Sequence, residues 1–152
     1  MGDINKGTTT YYLSKIFKTN NISEYISQNK GNMKQVIPFH IYISQLCEKR
    51  KAIRGQVISK STISRTYAYK FFNGTRTPSR DHAVLLAFGF EMNYDEAQEL
   101  LTAAGYNQLY SKVERDAVLI YAINKKLPVI DTQIMLTELS HPLLGADEKM
   151  PD

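Results

Sequence analysis

Five side chains able to meet a polyanion or the edges of its bases, Arg65, Thr66, Tyr69, Lys70 and Asn73, recur at i, i+1, i+4, i+5 and i+8. That spacing gathers them on one face of a helix numbered from Ser64, while Tyr67, Ala68, Phe71 and Phe72 turn the other way. One face is polar and basic, the other is core. Asn73-Gly74 then stops the helix, and Thr75-Arg76 leads to the next one, with Thr77 as its cap and Pro78 in its first turn. Any helix-helix loop can carry those stop and start signals. The basic face is what makes this one informative.

Charge is segregated along the chain. Net charge is only +4, but from Lys34 to Arg80 ten Lys or Arg stand against the single acid Glu48. The remainder holds nine basic and fourteen acidic residues. A one-signed segment with Tyr and Phe interleaved is the footprint of a surface that binds a phosphate backbone. A solvated basic face without a partner is the plainer reading of the same charges.

Catalytic chemistry finds little to work with. His40, His82 and His141 are far apart, and none has a second metal ligand three or four residues away. Asp81-His82 near a helix start reads as a dipole-favourable acid beside a surface or cap histidine. Cys47 lies on a helix whose apolar face is core, so it reads as structural, and one cysteine cannot form an internal disulfide. There is no phosphate-cradling glycine loop and no paired-carboxylate spacing. The expectation is a non-enzyme without cofactor or metal.

These residues need helices to position them, and nearly every segment has helical period. A chain of 152 residues, 43% hydrophobic, can bury a real core. Leu13, Ile16 and Phe17 form a short apolar stripe ended by Asn20-Asn21; Ser23 then caps a second short helix with Tyr25 and Ile26, and Gly31 to Gln35 connects onward. After Pro38, Phe39, Tyr42, Ile43 and Leu46 fall at i, i+3, i+4 and i+7. A short helix around Gly55 to Ser59 follows. The helix from Pro78 through Phe90 is apolar nearly all round, so it must be covered on two sides, by the N-terminal helices or the C-terminal ones. The C-terminal helices run from about Asn93 to Ala104, with Gly105 as stop, then Ser111 to Lys125 and Asp131 to Ser140. No apolar run approaches the roughly 18 residues of a membrane span, and Met1 to Thr10 is too polar for a signal peptide. A reducing, cytoplasmic setting is expected, with a flexible tail over 145–152.

The spacing from Ile63 through Arg65, Thr66, Asn73-Gly74, Arg76 and Pro78 to Leu86-Ala87 resembles the second half of the phage-repressor-like (XRE) helix-turn-helix family. More narrowly, Tyr67, Tyr69, Phe72, Gly74, Arg76, Pro78-Ser79-Arg80-Asp81, Leu109-Tyr110 and Arg115-Asp116 look like a Firmicute subset of that family, some of it encoded near serine/threonine protein kinases. The resemblance implies an all-α protein with a lambda-repressor-like helix-turn-helix domain over 36–105, an N-terminal helical extension over 1–35 and a C-terminal one over 106–144. It also implies a recognition helix whose Arg65, Thr66, Tyr69 and Lys70 meet base edges, and phosphate contacts from Arg54, Ser64, Asn73, Gly74, Thr75, Arg76 and Arg80. The chemistry agrees, since Arg pairs with two guanine acceptors and a loop of backbone amides with a guanidinium holds phosphate.

Three positions depart from the family pattern. Ile58 stands where a small residue is usual, Thr62 where the turn usually has Gly, and Arg54 where the first helix often starts with Gln. Ile at the close contact implies a wider or rotated helix packing. The expectation is a bacterial transcriptional regulator that binds double-stranded DNA in sequence-specific fashion, with the acidic C-terminal helices packing on the basic segment or pairing two copies as a homodimer. The rival is an adaptor whose helix-turn-helix surface binds a protein such as a serine/threonine kinase.

Overall fold

The computed structural model describes residues 8–34 and 36–146, and every regular element among them is a helix, with no strand. The chain divides into two compact units, one up to Val36 and one from Ile37 onward. Gln35 and residues 147–152 of the expected tail lie outside the described residues.

The first unit has two helices, α1 (Thr9–Lys18) and α2 (Ile22–Asn29), followed by a 3-10 turn at Lys30–Asn32. Thr8 caps α1 by accepting from the Tyr11 amide at 3.1 Å. Asn21, and not the expected Ser23, caps α2, because its Oδ1 accepts from the Glu24 amide at 3.0 Å. The apolar stripe of Leu13, Ile16 and Phe17 is exposed.

The second unit holds α3 (Phe39–Arg50), α4 (Arg54–Ser61), α5 (Arg65–Asn73), α6 (Arg80–Gly89), α7 (Tyr94–Ala103), α8 (Glu114–Asn124) and α9 (Val129–Glu138). As its all-round apolar sequence requires, α6 is the central element. His82 through Phe90 are all buried, and α6 packs against α4 on one side and α7 on another. Gly89 makes the α4 contact possible, since a methyl group there would lie inside van der Waals contact of the Val57 carbonyl oxygen and 3.1 Å from Ser61 Cβ.

Capping departs from expectation at α6. Ser79, not Thr77, is the cap, with Oγ accepting from the His82 amide at 3.1 Å. Pro78 therefore precedes the helix. It is fully buried, and its carbonyl accepts from the Tyr106 hydroxyl at 2.7 Å. His82 is likewise no surface residue: it is buried, its ring 5.1 Å from that of Tyr67 and 5.8 Å from that of Phe71. At α7, Asn93 and Glu96 form a reciprocal capping box.

Two adjacent residues at the start of α6 meet two adjacent residues at the start of α8. Arg80 pairs with both carboxylate oxygens of Asp116 at 3.1 and 3.2 Å, and Arg115 pairs with both of Asp81 at 2.9 and 3.0 Å. The Gly145 amide adds a third bond to Asp81 at 2.9 Å, and Leu144 beside it is buried, so the chain remains packed at the start of the expected tail. Burial opposes ionisation of Asp81, but the Arg115 and Gly145 hydrogen bonds outweigh it and hold the carboxyl below its usual range.

Candidate nucleic-acid interface

Helix α5 has the phase its sequence requires. Tyr67, Ala68, Phe71 and Phe72 are buried, Arg65, Thr66 and Tyr69 are exposed, and Lys70 is half-buried. Ser64 caps it, its Oγ accepting from the Tyr67 amide at 3.4 Å, which leaves the hydroxyl hydrogen available to a ligand. The exposed face is partly preformed. The Arg65 guanidinium lies 5.9 Å from the Tyr69 ring centre and reaches back toward Gly55 in the first turn of α4.

The start of α4 and the end of α5 also meet. The Arg54 guanidinium sits 5.2 Å from the Phe72 ring centre and donates to Ser44 Oγ on α3 at 3.2 Å. Stacking of this kind fixes a cation's direction without discharging it. From the last residue of α5 onward, Asn73 through Thr77 are exposed. Asn73 Oδ1 accepts from the Thr75 amide at 2.9 Å and from the Thr75 hydroxyl, so these two side chains shape the loop. The Arg76 amide closes it onto the Lys70 carbonyl at 3.2 Å. Gly74 has a φ of +82°, and a methyl group there would strike the His40 ring on α3. His40 thus borders this loop, a neighbour that no sequence spacing signals because it comes from a helix 34 positions earlier.

Arg80 does not join this group. Besides Asp116, its guanidinium donates to the carbonyls of Asn107 and Gln108 at 3.1 Å each, so the cation expected to hold phosphate is a strut between α6, the α7–α8 connection and α8. The expectation fails because the acid that answers it lies 36 residues away in sequence. Arg50 is also committed, to Glu96 and to the Phe90 carbonyl. Lys60 makes an exposed pair with Glu91 at 3.2 Å. Arg54, Arg65, Lys70 and Arg76 make no ion pair among the described residues, and they are the cations that α4, α5 and the following loop present.

Two of the atypical positions resolve locally. Thr62 adopts φ 64°, ψ 3°, the left-handed turn that Gly would take with ease, and its hydroxyl makes no hydrogen bond among the described residues. Ile58 is buried in the core. A β-branched residue in the left-handed region costs about 1–2 kcal/mol, so Thr62→Gly should raise stability by roughly 0.5–1 kcal/mol in urea unfolding, after the added freedom of the unfolded chain is subtracted. A fall in stability would mean that the Thr62 side chain contributes packing that its open turn does not suggest.

No three His, Cys, Asp or Glu among the described residues come together as a metal site. Cys47 is buried, and that burial pushes its thiol up, away from thiolate chemistry, against a weaker pull from Arg54. No described helix is long and apolar enough to cross a membrane. Comparison with known proteins finds no matching family model, no matching curated protein and no matching solved structure.

Proposed function

We propose that the second unit binds double-stranded DNA through a helix-turn-helix formed by α4 and α5, as a transcriptional regulator does. The observation that carries this reading is the division of α5 into a buried aromatic face and an exposed face of Arg65, Thr66 and Tyr69, continued by Arg76 in the loop and flanked by Arg54. In this reading α5 lies in the major groove. Arg65 pairs with guanine, Thr66 and Tyr69 touch neighbouring bases, and Lys70 reaches a base edge or phosphate. Arg54, Ser64, Gly74 and Arg76 hold the backbone and set register. Two copies related by two-fold symmetry would place two such helices on successive major grooves and supply the specificity that one lacks.

Fluorescence anisotropy with labelled duplex DNA over a range of salt tests the proposal. Log affinity should fall with log salt at a slope of about −4 to −6, at about −0.9 for each phosphate neutralised. Arg76→Ala should make that slope shallower by about one unit on every sequence. Arg80→Gln should lower thermal stability and leave the slope where it is. A flat salt dependence would end the DNA reading.

One observation favours the adaptor instead. Ile53, beside Arg54 at the start of α4, is 63% exposed and apolar, an unusual neighbour for a phosphate backbone. Under that reading Ile53 and Tyr69 dock a protein partner such as a kinase, and Ile53→Ser abolishes its capture while duplex DNA binds only weakly and without sequence preference.

A further inference from the structure

A cavity of about 560 Å³ opens where the ends of α6 and α8 approach the start of α9. Its volume falls in the range of small-molecule sites, about 300–1,000 Å³. The wall is apolar, formed by Phe88 in the last turn of α6, Met92 just after that helix, Ile123 at the end of α8, Leu127 after it, and Val129 from α9. Four of these belong to the hydrophobic core and Leu127 packs on it, so the chamber is cut into rigid material.

The mouth is charged and unbalanced. Lys60 of α4, Glu91 and Lys126 border it, two cations to one acid. The Glu91 carboxylate takes Lys60 Nζ at 3.2 Å, with both side chains more than half exposed, and such a surface pair is readily exchanged. Lys126 Nζ donates at 2.7 Å to the Glu91 backbone carbonyl, a neutral partner. Glu96 also feels the Lys126 charge, but its carboxylate is already bound by Arg50. An apolar chamber with an unneutralised ammonium at its lip suits a ligand that is greasy at one end and singly negative at the other.

We propose that this chamber binds a small amphipathic monocarboxylate, with its hydrocarbon against Phe88, Met92 and Leu127 and its carboxylate between Lys126 and Lys60. The site is separate from the DNA-facing residues and does not depend on their role. A neutral molecule of the same length would fill the chamber and leave the lysines unanswered. A dianion would gain at Lys126 and lose against Glu91.

Isothermal titration of the full chain at pH 7 with octanoate, and separately with 1-octanol, tests this. Octanoate should bind once per chain and at least about fivefold more tightly than octanol, a difference of about 1 kcal/mol. The double variant Lys60→Gln, Lys126→Gln should bring octanoate down to the octanol level. Leu127→Trp, which fills part of the chamber from its wall, should weaken both ligands at least about tenfold. The lysine variant replaces two exposed side chains, so it remains decisive should the tryptophan variant misfold. Absence of octanoate binding at millimolar concentration, equal affinity for octanol, or octanoate binding untouched by the lysine variant would each overturn the proposal.

Discussion

Gly89→Ala should destabilise the second unit by about 3 kcal/mol or more and lower its melting temperature by roughly 10 °C. The added methyl group meets the Val57 backbone carbonyl and Ser61 Cβ, and neither can swing aside as a flexible side chain would. The remaining relief is to move α4 away from α6. That displacement would carry Arg54 and the turn at Thr62 with it, so DNA affinity should fall even at temperatures where the variant stays folded. Gly31→Ala is the control, because a methyl group there meets nothing within 4 Å. Denaturant unfolding of both variants checks the expectation, and equal midpoints would contradict the close α4–α6 approach.

Tyr67 and Tyr69 sit two residues apart and should behave oppositely. Tyr67 is buried, with its ring edge-on to Phe71 at 4.9 Å and to His82 at 5.1 Å, so Tyr67→Ala should cost about 3–5 kcal/mol through the cavity it leaves. Tyr69 is 36% exposed and touches the Arg65 guanidinium, so Tyr69→Ala should leave the melting temperature within a degree or two. Its cost should appear in DNA binding. Thermal melts and anisotropy on the two variants separate the effects. A stable Tyr67→Ala protein beside an unfolded Tyr69→Ala one would reverse the phase of α5 and remove every contact assigned to it.

Within α5 the sequence is a full guide, because burial on a single helix obeys a short period that neighbouring residues reveal. Helix ends are less legible. α3, α6, α8 and α9 all finish on a left-handed residue, and those residues are Lys51, Glu91, Lys126 and Ser140, as Thr62 is for α4, where only the Gly74 stop after α5 and the Gly105 stop after α7 announce themselves. In the first four the left-handed residue's own amide and the next one still close back on the last turn, as Glu91 does on Phe88 and Met92 on Ala87, so backbone hydrogen bonds enforce the stop without the customary residue. Least legible are contacts between distant segments. The His40 ring against Gly74, the Arg80 guanidinium on Asp116 and the chamber behind Lys126 depend on how helices cross, which no local pattern encodes.

The crossed pairs at the starts of α6 and α8 have a further consequence. Both helices carry the same dipeptide, Arg-Asp, in their first turns, and run so that Arg80 meets Asp116 while Asp81 meets Arg115. Were the two α8 residues exchanged in place, Arg80 would face an arginine and Asp81 an aspartate. That arrangement sets like charges together in a half-buried site, where repulsion is poorly screened. The two dipeptides therefore act as a keyed joint. The body of α8 packs on α7 and α9, so this joint is what ties the start of α8 to the start of α6, with each acid answered by a cation of the other helix.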